Sequence, residues 1–127
     1  MSQAPATIVV VDDDPDTVEF LCAYLRWLGF HAVNCPPGPQ TAACIAQHAP
    51  RVVILDVDLG ASTGVDVFHQ VRAAVTTRQL PVIFFTGNAD KLRNELPDYH
   101  ARGAALVVKP NTAELTARIH DLVHPIA

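Results

Sequence analysis

The chain has 127 residues, half of them apolar and 17% charged, with a formal net charge of -4. That length fits one domain with a buried core, and the apolar share argues against wholesale disorder. The nine basic residues are spread singly rather than in a stripe, which disfavours nucleic-acid binding. Residues 27–50 carry no Asp, Glu, Lys or Arg, but prolines 36, 37 and 39 break the stretch, so it does not read as a membrane span. The opening MSQAPAT lacks a basic and then an apolar region, so no secretory signal is read there. Three cysteines, Cys22, Cys35 and Cys44, form no CxxC and cannot all pair, which suits a reducing cytoplasm.

Along the chain the hydrophobic period switches repeatedly. Ile8 to Val11 is a β-branched run that stops at Asp12. Val18, Leu21, Leu25 and Leu28 then recur at helical spacing, and Gly29 suits the helix end. Phe30 to Val33 reads as a weak strand, followed by a Pro-rich turn and a small helix over 40–47. Arg51 to Leu55 is a strand ending at Asp56, and Val65, Phe68, Val71 and Val75 predict a helix after it. Pro81 to Phe85 is a strand ending at Thr86, and residues 90–100 predict a helix that Pro97 interrupts. Ala105 to Val108 leads to Lys109-Pro110, and Asn111 with Glu114 marks the start of a last helix. Strand and helix alternate five times, predicting an α/β fold: a doubly wound parallel sheet with helices on both faces. Ligands of such sheets bind outside the carboxyl ends of the strands.

What stands at those ends is chemically specific. Asp12, Asp13 and Asp14 follow the first strand, Asp56 and Asp58 the third, Thr86 the fourth and Lys109 the fifth. Carboxylates gathered at one rim repel unless a cation sits among them. Oxygen ligands suit Mg2+, which shares itself readily with a phosphate. A carboxylate nucleophile with a metal, a lysine and a hydroxyl around it is equipped for phosphoryl transfer onto that carboxylate.

The runs Val-Val-Val-Asp12-Asp13-Asp14-Pro15, Val-Ile-Leu-Asp56 with Gly64 eight residues on, Val-Ile-Phe-Phe-Thr86-Gly87 and Val-Val-Lys109-Pro110 resemble a response-regulator receiver domain. The likeness spans roughly Ile8 to Val123. It implies a flavodoxin-like five-stranded sheet in order 2-1-3-4-5, filling a stand-alone receiver over residues 1–127 (core about 7–123) with no output domain. By the same resemblance Asp56 is the phosphoacceptor, Asp13 binds Mg2+ directly and Asp12 acts through a metal-bound water. The Asp58 carbonyl is a further metal ligand, Thr86 and Lys109 contact the phosphoryl group, and Lys109-Pro110 is cis. The implied donor is a sensor histidine kinase or histidine phosphotransfer protein, and the implied output is contact with a downstream protein target. Four positions depart from the family pattern: Gly60 replaces a common Pro, Leu106 the switch aromatic that works with Thr86, and Asn111 a common Phe. Pro97 shortens the fourth helix.

Phe20, Tyr24 and Trp27 form a second apolar face on the first helix, expected to meet a partner: the phosphodonor or a second copy in a homodimer. The Asp58 side chain either modulates dephosphorylation or faces solvent, and Asp14 or Asp16 is expected to cap the first helix. The six histidines share no metal-ligand spacing and read as scattered surface residues, while Cys22 and Cys44 read as small apolar residues rather than reactive thiols. Two other functions compete: a scaffold that never takes phosphate, and a haloacid-dehalogenase-like phosphatase using Asp56 and Asp58.

Overall fold

The computed structural model describes residues 4–123; the first three residues of the opening segment, and His124 with the tail after it, lie outside the described residues. Strands and helices alternate in the order β1 (Thr7–Val11), α1 (Pro15–Trp27), β2 (His31–Asn34), α2 (Thr41–His48), β3 (Val52–Leu55), α3 (Gly64–Ala73), β4 (Val82–Thr86), α4 (Ala89–Glu95), β5 (Ala104–Val108) and α5 (Thr112–Val123). All pairings are parallel and the sheet order is β2-β1-β3-β4-β5, as the resemblance implied.

The continuous apolar runs are explained by burial on both faces of the sheet. Val9, Val11, Val53, Leu55 and Phe84 face one core with Ile45, Phe68 and Leu92 of α2, α3 and α4. Their alternate neighbours, Ile8, Val10, Ile54 and Ile83, face the other core with Leu21, Leu25, Leu115 and Ile119 of α1 and α5. One residue of slip in β1 or β3 would exchange these two sets, so the register is firmly specified.

Local signals set the helix ends. Asp14 caps α1, accepting from Asp16 N at 3.2 Å and Thr17 Oγ1 at 2.8 Å, with Pro15 in the first turn. Gly29 takes the left-handed backbone expected after the helix, with φ at 98°. Asn111 caps α5 by accepting from Glu114 N at 3.0 Å, while Glu114 Oε2 accepts from the Asn111 amide at 3.3 Å.

Three expectations need correction. The fourth helix stops at Glu95 rather than reaching His100: Leu96 turns into the core and Pro97 follows in turns. Val75 is not part of the α3 stripe. Ala74 is extended, and the Thr77 hydroxyl donates to Val71 O at 2.7 Å, taking over a last-turn carbonyl and leaving Val75 exposed. Cys44 is not a free apolar thiol either; it forms a disulfide with Cys35, their Cα atoms 5.9 Å apart. A spacing of nine residues carries no pairing signature, and only the fold brings the end of β2 against α2. Cys22 is free and buried, as expected of a small apolar residue.

Candidate functional site: an acidic pocket at the strand ends

Parallel pairing brings the ends of β1, β3, β4 and β5 together. Asp56 N donates to Val11 O at 3.0 Å and Lys109 N to Thr86 O at 3.0 Å, so adjacent strand ends are locked to each other. Gly64 lets α3 start close by: its N donates to Val57 O at 2.7 Å, and a Cβ there would overlap the Asp56 carbonyl oxygen.

Lys109, cis to Pro110, inserts its ammonium between two carboxylates, donating to Asp12 Oδ2 at 2.8 Å and Asp56 Oδ2 at 3.0 Å. The Asp12 and Asp56 side chains are only 2% and 9% exposed. Asp12 Oδ1 also accepts from Asp14 N at 3.0 Å. Asp13 is exposed, and one carboxylate oxygen from each of Asp12, Asp13 and Asp56 lies within 4.8 Å of the others. One lysine against three carboxylates leaves a local excess of negative charge. Burial raises the Asp12 carboxyl above its ordinary value despite the Lys109 hydrogen bond. Burial works against the charged form of Lys109, but its hydrogen bonds to Asp12 and Asp56, with their charges, outweigh burial and raise it.

Asp58 donates its backbone N–H to Asp56 Oδ1 at 3.4 Å, but its side chain stands apart from this cluster. Its carboxylate accepts from Asn88 Nδ2 at 3.1 Å and Lys91 Nζ at 3.1 Å, and these hydrogen bonds lower its pKa. Neither Asn88 nor Lys91 was expected to act here; Asn88 carries a signal as the cap of α4, Lys91 none. Thr86 is fully buried, and its hydroxyl accepts from Asn88 N at 3.0 Å, holding the turn into α4. Leu106 pairs with Phe84 across β4–β5 and packs half-buried against the core.

On α1, Phe20, Tyr24 and Trp27 stack in succession, with ring centroids 5.9 and 6.3 Å apart. The Tyr24 hydroxyl is 2.8 Å from Thr116 Oγ1 of α5, while Phe20 and Trp27 are 54% and 79% exposed. The five described histidines, His31, His48, His69, His100 and His120, are exposed as expected, and His48 lies beside the disulfide; His124 lies outside the described residues.

The family model for the response regulator receiver domain matches residues 8–120. The chain belongs to that family. This receiver domain is 33% identical over 120 residues to the probable transcriptional regulatory protein TcrX of Mycobacterium tuberculosis, a match covering 94% of this chain and 50% of TcrX. The chain spans about half the length of the curated relatives it matches. Its fold is similar to the BeF3-activated N-terminal receiver domain of Klebsiella pneumoniae RstA, with a TM-score of 0.78, 27% identity and coverage of 93% of this chain and 98% of that one. It is also similar to the Thermotoga maritima response regulator TrrA in complex with Mg(2+)-BeF, with a TM-score of 0.76, 24% identity and coverage of 92% and 98%. Receiver domains are signalling domains of two-component systems, and the Asp12, Asp13 and Asp56 pocket lies at this one's strand ends. Among the described residues no helix is long and apolar enough to cross a membrane.

Proposed function

We propose that this receiver accepts a phosphoryl group onto Asp56 from a phosphohistidine, on a sensor histidine kinase or a histidine phosphotransfer protein, and passes the signal to a protein target. The observation that carries this reading is the buried Asp56 carboxylate held with Asp12 by Lys109, with Asp13 alongside. The oxygen-only donor set fits Mg2+, with Asp12, Asp13, Asp56 and the Asp58 carbonyl as its holders. When bound, the metal supplies charge neutralisation for the incoming phosphoryl oxygens.

In the proposed transfer an Asp56 carboxylate oxygen bonds to phosphorus as the phosphorus–nitrogen bond to the donor imidazole breaks, and the electron pair stays on that imidazole. Lys109 holds Asp56 in orientation and then meets the charge of the phosphoryl group. Thr86 would exchange its hydrogen bond from Asn88 N for one to a phosphoryl oxygen, coupling the site to the turn before α4. With Leu106 at the neighbouring strand position, that coupling works without an aromatic switch and shifts a balance between two surface conformations.

The sparse basic residues favour a protein target over nucleic acid for this chain, and its action as a cytoplasmic receiver belongs to the same proposal. The exposed Phe20–Tyr24–Trp27 stack supports α1 as the phosphodonor's docking face, or as the contact of a homodimer. The phosphatase alternative loses support because Asp58, which would be its general acid, is occupied by Asn88 and Lys91. The test is intact mass after incubation with a small phosphoramidate, a phosphohistidine mimic, with and without Mg2+. A Mg2+-dependent gain of one phosphoryl group, absent in Asp56→Asn, is expected; no gain under any condition favours the scaffold. Loss of kinase-dependent labelling in Trp27→Ala, with small-donor labelling retained, is expected of the docking face.

A further inference from the structure

Cys35 directly follows β2 and Cys44 lies within α2, and their bond closes the loop over residues 36–40. Three of those five loop residues are prolines, which donate no backbone hydrogen bond. The loop is otherwise held from its far end by Thr41, whose hydroxyl donates to Pro36 O at 2.8 Å and Gly38 O at 2.9 Å. Asn34, Pro36 and Pro37 wall the same cleft of about 320 Å³ that Asp12 and Asp13 line. The two cysteines differ in burial: Cys35 is fully buried, whereas Cys44 is half-buried. His48 stands one helical turn on, with Nδ1 2.9 Å from Cys44 O and 3.9 Å from Cys44 Sγ. A sulfur reachable from solvent beside an imidazole is open to attack by a thiolate, while its buried partner is not.

We propose that Cys35–Cys44 is a reversible thiol–disulfide modification site, opened at Cys44 by a low-molecular-weight thiol, whose state sets the order of loop 36–40 and the Mg2+ affinity of the cleft beside it. The affinity clause rests on the function proposed above; the modification site does not. In the opening step the small thiolate attacks Cys44 Sγ, a mixed disulfide forms, and the protein disulfide breaks with its electron pair leaving on Cys35 Sγ. A second small thiol attacks the small-molecule sulfur of the mixed disulfide and releases Cys44. Two small thiols become one small disulfide, their two protons pass to Cys35 and Cys44, and the protein pair gains two electrons. The freed loop regains the conformational entropy that cross-linking had removed.

The experiment equilibrates the full chain in graded ratios of reduced to oxidised glutathione, traps thiols by alkylation and counts them by intact mass. Hydrogen exchange and Mg2+ titration are then run on both end states. Two thiols beyond Cys22 should appear together and reversibly. Exchange protection at the Cys35 and Cys44 amides, which donate to Val10 O and Gln40 O, should fall about tenfold on reduction. Mg2+ affinity should weaken about fivefold. Because Cys35→Ser places a polar group in the core, the matching variant is Cys44→Ser, which should behave as the reduced form at every ratio. Thiol counts that ignore the glutathione ratio would overturn the modification site, and exchange identical in the two end states would overturn its control of loop 36–40. Equal Mg2+ affinity alongside altered exchange would overturn only the coupling. Absence of Mg2+ binding in both states would overturn the coupling and the proposed function together, with the thiol counts still deciding the site and the exchange data the loop.

Discussion

Asp56 and Asp58 leave the end of β3 two residues apart, and each meets a lysine at about hydrogen-bond distance, yet the two pairs are physically unlike. Lys109 serves two carboxylates at once and all three side chains are mostly withdrawn from water. Lys91 serves Asp58 alone, with the Asp58 side chain 51% exposed. In the first group the charges have given up hydration, so each depends on its partners; in the second, water can replace either partner at little cost. The same chemistry two residues along the chain thus yields a poised site in one place and a surface tie in the other. The buried group is a deficit as well as a site, because Asp13 adds a third carboxylate that Lys109 does not bond.

That contrast can be broken most severely at Lys109. Lys109→Met should leave Asp12 and Asp56 without their cation and cost about 3 kcal/mol in urea unfolding without Mg2+. Added Mg2+ should restore part of that loss. Asp13→Asn comes next: Mg2+ affinity by titration should fall about tenfold, while metal-free stability rises, since one like charge has left the cluster. The smallest effect belongs to Asp58→Asn, whose Tm should move by no more than about 2 °C, with the shift fading at high salt.

Acid titration sharpens the comparison because the two aspartates have opposite signs. Asp58 is lowered from 3.8 by hydrogen bonds from Asn88 and Lys91. Its contribution is present above that ordinary value and is lost as pH falls through the lower folded value. Asp12 is raised from 3.8 by burial. Its burial penalty is fully present above the raised folded value and is relieved as pH falls from there toward the ordinary one. Unfolding free energies measured across the acid range should therefore lose a stabilising slope in Asp58→Asn and lose a destabilising one in Asp12→Asn.

How much of this was legible in the sequence depends on how far apart the interacting residues lie. The ends of β1, β3, β4 and β5 could be placed because a β-branched run has to stop where Asp12, Asp56, Thr86 or Lys109 begins. The capping by Asn111 was equally readable and that of α1 was narrowed to Asp14 or Asp16, since a cap acts within three residues. The tie from Asp58 to Lys91 was not, because a residue on β3's loop and one on α4 meet only after the sheet has formed. The Cys35–Cys44 bond was hidden for the same reason. Val75 misled because its helical spacing continues past the point where Thr77 takes the Val71 carbonyl. At Thr86 the residue was placed correctly, but its hydrogen bond from Asn88 N depends on a turn that periodicity does not describe.

The central claim is that burial and the shared lysine make Asp56, rather than its neighbour Asp58, the phosphoacceptor. The most direct test is borohydride reduction of the phosphorylated chain, followed by fragment mass analysis of the peptide holding both residues. Homoserine in place of aspartate at position 56, with position 58 unchanged, is the predicted result. Homoserine at position 58, or at both, would contradict the account.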